Sequence, residues 1–239
     1  MKKIAVAMLA IVLMVVVSSC SFIKDSDMLS NKKTSPPNEI ENSTTEDQTT
    51  PIIKKDNSFD AAEVAKNFQV TEYKINDQFH YFAVYVVKNT SEFTLDINGN
   101  IEAFNGENII GAKEGGEYAV PAGKDIVLAY SFDESFTEAK YKFTAQVSSL
   151  YVGVTQDLSI DSTSAKNKEI IKVTNNGTHD AEFVQATVLF FKNSKLVFLN
   201  SKYICAGDNL KPNESKSAEV SCSISYDSIS VFLTGRATR

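Results

Sequence analysis

Few side chains in this sequence are suited to nucleophilic, acid–base or metal chemistry. The 239 residues include three cysteines, two histidines and no tryptophan. Neither His80 nor His179 has nearby serine, cysteine or glutamate residues at the spacing that hydrolases and zinc enzymes use. We therefore predict no catalytic residue, no metal site and no cofactor, and we turn to the cysteines.

Cys20 ends an N-terminal segment that is organised like a secretory signal. Two lysines precede an apolar run over residues 4–17, and two serines stand directly before the cysteine. The run is shorter than the roughly 20 residues of a membrane-spanning helix. The segment Val17-Ser18-Ser19-Cys20 resembles the bacterial lipobox. This resemblance implies that residues 1–19 are removed as a lipoprotein signal peptide and that Cys20 receives a diacylglycerol.

A lipid on Cys20 predicts a chain anchored in the cell membrane and facing outside the cytoplasm. Only two of the 24 basic residues are arginines, a bias typical of AT-rich genomes, which favours a Gram-positive surface. An ordinary signal peptide and an uncleaved anchor with an incidental cysteine are the alternatives. The net charge of -6 does not provide the basic surface that phosphate backbones require, so we predict no nucleic-acid partner.

Cys205 and Cys222 form an even pair in a chain that we expect to be exported. They lie 17 residues apart and flank Pro212, and an oxidising compartment favours a disulfide between them. A cross-linked loop of this size contributes about 3 kcal/mol to the free energy of unfolding. Two reduced buried thiols are the alternative. A zinc site is not expected, because no histidine completes a tetrahedral ligand set.

The rest of the sequence predicts a tether followed by strands. Residues 20–58 are polar, contain three of the five prolines and lack apolar periodicity, which predicts a lipidated disordered tether. Residues 79–87 are apolar on both faces, as in a strand in the middle of a sheet, and residues 184–191 also have the two-residue period of a strand. Asn98-Gly99 and Asn105-Gly106 are typical of type I′ hairpin turns, so we interpret residues 96–102 as a hairpin rather than a calcium loop. A short helix over 59–67, capped by Ser58, is also expected.

An internal repeat suggests two similar modules. Residues 87–90 align with 174–177, and residues 104–110 with 191–197, at a separation of 87. Residues 120–124 align with 211–215 at a separation of 91. We predict an all-β fold of two tandem immunoglobulin-like β-sandwich domains, module 1 at 59–150 and module 2 at 151–239. Four aromatic residues near the link are expected in the core, in the contact between modules or in a recognition patch: Phe132, Phe136, Tyr141 and Phe143.

Three segments of the second half resemble a known family of modules. They are Val173-Thr174-Asn175-Asn176, Leu189-Phe190-Phe191-Lys192-Asn193 and Lys211-Pro212-Asn213-Glu214-Ser215. Their order resembles that of FxLYD-type immunoglobulin-like modules of Gram-positive surface lipoproteins. The resemblance implies binding or architecture rather than catalysis. We expect a non-catalytic surface lipoprotein with a protein or cell-envelope partner. An accessory envelope enzyme or hydrolase inhibitor with a carboxylate-based site and a structural spacer are the alternatives.

Overall fold

The computed structural model describes residues 58–76, 80–205 and 207–239, and all of them belong to one compact unit, Lys55–Arg239. The predicted signal peptide, Cys20 and almost all of the tether lie outside the described residues. Nearly all regular structure in the described part is β-strand, so the predicted all-β class is confirmed. Within this part of the chain, no helix is long and apolar enough to cross a membrane.

The helix is shorter than predicted and has a different cap. Helix α1 spans Ala61–Lys66. Asp60, rather than Ser58, is the N-cap: its Oδ1 accepts the amides of Ala62 and Glu63 at 2.9 and 3.1 Å. A carboxylate at this position satisfies amides that have no partner within the helix. The predicted Ser58 cap and the wider 59–67 range are therefore wrong.

Module 1 contains six strands in two antiparallel sheets. The strands are β1 Gln69–Asn76, β2 Tyr81–Lys88, β3 Leu95–Asn105, β4 Asn108–Val120, β5 Asp125–Ser131 and β6 Glu138–Val147. The sheet orders are β1-β2-β5 and β4-β3-β6. Tyr85, Leu95 and Ile101 lie at the centre of the core and are almost completely inaccessible to solvent. Alternate residues of β3 and β5 are buried, so that the two sheets pack face to face as a sandwich.

Module 2 repeats this arrangement and adds one strand. Its strands are β7 Tyr151–Gly153, β8 Leu158–Ala165, β9 Lys168–Asn175, β10 Glu182–Lys192, β11 Lys195–Tyr203, β12 Ser215–Ser221 and β13 Ser228–Thr238. A 3-10 turn, Thr155–Asp157, separates β7 from β8. The sheet orders β12-β9-β8 and β11-β10-β13-β7 match those of module 1 strand by strand, except that β7 adds an outer strand beside β13.

The structure corrects the register of the repeat by one residue. Asn89 corresponds to Asn175, which lies 86 residues later in the chain. The turn residues Gly123 and Asn213 both have positive φ and correspond to each other at a separation of 90 residues. The separation of 87 holds only later, at Gly106 and Asn193. A bulge in β10 inserts the extra residue, because the pairing of β10 with β13 shifts between residues 182 and 185. Sequence similarity alone did not locate this insertion.

Asn98-Gly99 does not form the predicted turn, because both residues lie inside strand β3. A Cβ on Gly99 would lie 2.5 Å from the Tyr130 hydroxyl and 2.8 Å from the Phe143 ring. The glycine therefore permits close packing of the core rather than a reversal of the chain. The reversal occurs at the predicted Asn105-Gly106 pair, where Gly106 has φ 63° between β3 and β4.

The aromatic residues near the link do not join the modules. Phe132, Phe136 and Phe143 are buried in the core of module 1, and Tyr141 packs on Phe143 with ring centroids 4.9 Å apart. A separate apolar cluster connects the modules. Its buried members are Ile75 and Val84 from module 1 and Leu189 and Leu196 from module 2. We call this set the interface cluster.

Candidate binding face at the junction of the modules

Arg236 connects three segments of the chain. Its guanidinium carbon lies 4.5 Å from the ring centroid of Tyr151, 4.6 Å from that of Phe183 and 5.2 Å from that of Tyr118. Tyr118 belongs to β4 of module 1, Tyr151 to β7, and Phe183 to β10 of module 2. Cation–π attraction of this kind contributes about 0.5 to 2 kcal/mol per contact. One arginine thus fixes the orientation of rings from both modules.

Two β-bulges position the outer rings. Phe183 has φ 51°, and Ala119, directly after Tyr118, has φ 52°. Side chains other than glycine adopt this left-handed region at a cost of about 1–3 kcal/mol, and such strain is concentrated at functional sites. The amide of Ala119 donates to the carboxylate of Asp96 at 2.9 Å, which stabilises the first bulge. The strained backbone thus holds Tyr118 and Phe183 at the surface.

Two of the rings that contact Arg236, and the ring of Tyr203 in the same pocket, are accessible to solvent. Tyr118, Phe183 and Tyr203 are 50, 50 and 52% exposed. Together with Arg236 they line a pocket of about 190 Å³, to which Gln185 and Thr234 add polar groups. We call the surface formed by Tyr118, Phe183, Tyr203 and Arg236 the junction face. It combines apolar area with a few fixed hydrogen-bonding groups, as binding surfaces do.

Glu117 lies at the border of the junction face and is half-buried. Desolvation by burial raises the pKa of its carboxyl group above the ordinary value. The amide of Tyr118, 3.1 Å from its Oε1, and the charge of Arg236 oppose this effect but do not cancel it. This carboxyl group therefore binds a proton more readily than an exposed glutamate.

A groove of about 590 Å³ continues from Glu117 along β3, β4 and β6. Asp96 and Glu114 also line it, and we call it the acidic groove. Asn98 donates to Glu114 at 2.7 Å, and Gln146 donates to Asp96 at 3.3 Å. No histidine, cysteine or serine is among the residues that line it. In the described ranges, no cluster of three or more metal-ligating side chains is present.

Cys205 and Cys222 are buried free thiols, and they lie at opposite ends of strand β9. The amide of Cys222 donates to the carbonyl directly before β9. At the other end of β9, Asn175 binds the carbonyl of Leu210. Leu210 pairs with Ala181, whose carbonyl accepts the thiol of Cys205 at 3.6 Å.

This separation corrects the predicted disulfide. Strand β9 is about 23 Å long from its residue count, whereas a disulfide requires Cα atoms within about 7 Å of each other. The cross-link between Cys205 and Cys222 is not formed in the structure, and the alternative of two reduced buried thiols describes the observed arrangement. The spacing of the two cysteines in the sequence did not reveal the distance between them, because the segment that connects them extends along the sandwich.

Of the other residues considered in the sequence, Cys20 lies outside the described part. The His80 ring packs against Phe198 with centroids 6.1 Å apart, and His179 is exposed in the turn after β9. Sequence reasoning missed the junction face. The one available signal was that Arg236 is one of only two arginines in the chain, and nothing in its neighbourhood indicated three converging rings.

Comparisons with known proteins add little. No protein-family model matches the chain, and no curated protein matches it. Among solved structures, the crystal structure of red sea bream transglutaminase is similar with a TM-score of 0.26 and 12% sequence identity, over 70% of this chain and 29% of that one. The chain spans less than a third of that protein's length, and a likeness of this size carries no argument about fold or function.

Proposed function

We propose that this protein is a non-catalytic surface lipoprotein, anchored through a lipid on Cys20, whose joined modules bind a protein or cell-envelope component through the junction face. The observation that carries the proposal is the exposed set of rings around Arg236, held by two strained bulges. Tyrosine and arginine are the residue types that contribute most to protein interfaces. A spacer alone has no need of this strained and partly apolar surface.

The junction face is also preorganised for binding. Besides the interface cluster, Arg239 holds the link between the modules, because its Nη2 donates to the carbonyl of Ser148 at 3.1 Å. Rings that are fixed before association lose less conformational entropy on binding. The same features favour a protein partner over a sugar, since the chain has no tryptophan and offers tyrosine, arginine and carboxylate groups side by side.

Envelope-binding measurements with residues 55–239, which form one compact unit, test this proposal. Tyr203→Ala removes an exposed ring and is expected to weaken binding about 30-fold. This loss corresponds to about 2 kcal/mol of binding free energy, as for a central residue of an interface. Ile109→Ala is the matched control, because Ile109 is 61% exposed and lies at the tip of module 1. Equal binding by both variants would contradict a role for the junction face.

The anchor has a separate test. Mass spectrometry of the mature N-terminus is expected to find Cys20 as the first residue, carrying a diacylglycerol. Cys20→Ala is expected to release the protein from the membrane fraction, whereas Ser21→Ala is expected to leave it there. An unmodified Cys20, or full retention of Cys20→Ala, would exclude the lipid anchor.

The acidic groove supports a second candidate, an accessory envelope enzyme. Burial raises the pKa of Glu117, and Asp96 and Glu114 line the same groove. A carboxyl group with a raised pKa acts as the general acid in glycosidases, together with a second carboxyl group in the same cleft. The test is whether residues 55–239 hydrolyse isolated envelope. Hydrolysis that Glu117→Gln abolishes would support this candidate, whereas an absence of hydrolysis would leave binding as the activity.

A further inference from the structure

Strand β8 has a free edge. Among the described residues, β9 is the only strand that pairs with it, and no other helix or strand packs along it. Residues 159–164 are all exposed. Natural edge strands are protected by charged side chains, prolines or bulges, whereas β8 contains one charged residue, Asp161, no proline and no shift of register.

The pairing of β8 with β9 determines which of its backbone groups are free. The amide of Asn176 donates to the carbonyl of Asp157 at 2.9 Å, which makes these opposite residues a hydrogen-bonded pair. Hydrogen-bonded and non-hydrogen-bonded pairs alternate along antiparallel strands, so the backbone groups of every second residue of β8 point away from β9. These residues are Ile160, Ser162 and Ser164. Their amides and carbonyls are available to another strand.

Module 1 protects the equivalent strand with charged side chains. The pairing of β1 with β2 places Glu72 and Lys74 at the positions that Ser162 and Ser164 have in β8. Glu72 interacts with a tyrosine of β6, and Lys74 donates to the carbonyl of Phe136. These long side chains connect β1 to the opposite part of the sandwich. Serine side chains are too short for such contacts, so the edge of β8 has no comparable protection.

We propose that two copies of this protein associate through their β8 edges, which form an antiparallel pair with Ser162 at the two-fold axis. In this register Ile160 lies opposite Ser164 of the second copy, and all outward backbone groups meet a partner. Asp161 lies opposite Thr163 of the second copy, where a hydroxyl donates to a carboxylate. A pair centred on Asp161 would instead place two carboxylates opposite each other, which is unfavourable.

The ends of β8 add charge complementarity. Asp157 stands directly before the strand and Lys166 directly after it. An antiparallel pair therefore brings Asp157 of each copy beside Lys166 of the other, and the two-fold axis repeats this contact. Neither residue forms an ion pair with another described residue of its own chain. The edge is thus complementary to itself in charge as well as in backbone hydrogen bonding.

This association goes beyond the proposed function and leaves the junction face free. Strand β8 belongs to the sheet β12-β9-β8, whereas the module 2 residues of the junction face lie on β10, β11 and β13 of the other sheet. A dimer therefore has two accessible junction faces. Two linked binding sites hold a repetitive or membrane-bound partner more firmly than one site does.

Sedimentation of residues 55–239 over a series of concentrations tests the proposal, and a monomer–dimer equilibrium is expected. Hydrogen exchange locates the contact. The amides of Ile160, Ser162 and Ser164 are expected to be protected in the dimer and to exchange rapidly in the dilute monomer. The amide of Thr163 faces β9 and is expected to be protected in both states. A monomer at every concentration, or exchange at the three outward amides that does not depend on concentration, would overturn the proposal.

Ser162→Pro removes an amide at the centre of the free edge. This amide does not bond to β9, and proline is tolerated at such positions of edge strands. The variant is therefore expected to remain monomeric without a large change in melting temperature. A dimer of Ser162→Pro with the native dissociation constant would show that the contact lies elsewhere, and the proposal would be wrong.

Lys166→Glu places a carboxylate beside Asp157 of the second copy and is expected to raise the dissociation constant of the dimer at least tenfold. Adding Asp157→Lys to this variant is expected to restore the dimer. Lys195→Glu is the matched control, because Lys195 is also an exposed lysine beside a hairpin turn, between β10 and β11. Equal dissociation constants for Lys166→Glu and Lys195→Glu would contradict the antiparallel register.

The full mature chain distinguishes another occupant of the same edge. If the full chain stays monomeric while the amides of Ile160, Ser162 and Ser164 are protected, the occupant is the chain's own N-terminal segment and the proposal is wrong. A full chain that dimerises like residues 55–239, and that Ser162→Pro converts to a monomer, supports the proposal.

Discussion

Asn89 and Asn175 occupy the same position in the two modules and make the same hydrogen bonds. Each side-chain amide donates to the carbonyl four residues later and to a carbonyl on a distant segment. The acceptors are Phe93 and Val120 in module 1, at 2.8 and 2.9 Å, and His179 and Leu210 in module 2, both at 2.8 Å. Both asparagines are completely buried. The two modules therefore share a pattern of buried hydrogen bonds as well as an order of strands.

Asn175→Ala is expected to lower the free energy of unfolding by about 2–4 kcal/mol, because the buried carbonyl of Leu210 loses its donor at a cost of about 1–3 kcal/mol and the part-buried carbonyl of His179 at a cost of about 1 kcal/mol. Urea denaturation measures the change. Asn176→Ala is the control: its side chain donates at 3.0 Å to Ser159 on the exposed surface, so the loss is expected to stay below about 1 kcal/mol. Similar losses for both variants would contradict a structural role for the buried amide.

Leu189→Ala is expected to separate the unfolding of the two modules. Leu189 is fully buried in the interface cluster, and truncation of such a residue costs about 2–5 kcal/mol. Calorimetry is expected to show one transition for the native protein and two for the variant. Leu150→Ala, at a residue that is 68% exposed, is expected to melt like the native protein. A single transition in Leu189→Ala would show that the interface cluster does not couple the modules.

Thiol counting on denatured residues 55–239 is expected to find two free cysteines. In the native state, reaction of Cys222 is expected to be slow, because burial raises its pKa more than a backbone hydrogen bond with Ile224 lowers it. The reactive thiolate is therefore scarce. Reductant is expected to leave the melting temperature unchanged. If no thiol reacts after denaturation and reductant lowers the melting temperature, the two cysteines form a disulfide in the protein.

Stability is expected to fall at high pH partly because of Tyr226. Burial, followed by the hydrogen bond to the Glu169 carboxylate, raises its pKa to about 12, against about 10 in the unfolded chain. The native state therefore keeps a proton that the unfolded chain loses. This stabilisation is fully present below about pH 10 and is lost as the pH rises to about 12.

Denaturation at a series of pH values, compared between the native protein and Tyr226→Phe, measures this contribution. The variant is expected to lose less stability than the native protein between about pH 10 and 12. Tyr203→Phe, at a half-exposed ring, is the control and is expected to follow the native protein. Identical pH profiles for all three proteins would contradict the assignment to Tyr226.

The strands were predictable because their sequence patterns are local. Runs of apolar residues with the period of a strand located β2 and β10, and Asn105-Gly106 located the hairpin between β3 and β4. Gly99 was misassigned because its neighbours Tyr130 and Phe143 are distant in the sequence. An Asn-Gly pair within a strand looks like a turn until the packing around it is known.

The junction face was not predictable for the same reason. Arg236 meets Tyr118 and Phe183 only because two bulges rotate these rings towards it, and a bulge has no sequence signature when the residue with positive φ is Phe183 or Ala119. Cys205 and Cys222 were likewise close in sequence but distant in the fold. The contacts that carry the proposed function are all long-range.

The central claim is that the anchored protein meets its partner through the junction face. Photo-cross-linking in intact cells tests it most directly, with a photoreactive phenylalanine analogue at Phe183 in the full chain and, as a control, at Ile109. The proposal predicts one discrete cross-linked envelope protein from position 183, none from position 109, and loss of the product when Cys20 is replaced by alanine. Cross-links of equal yield from both positions, or none from position 183, would contradict it.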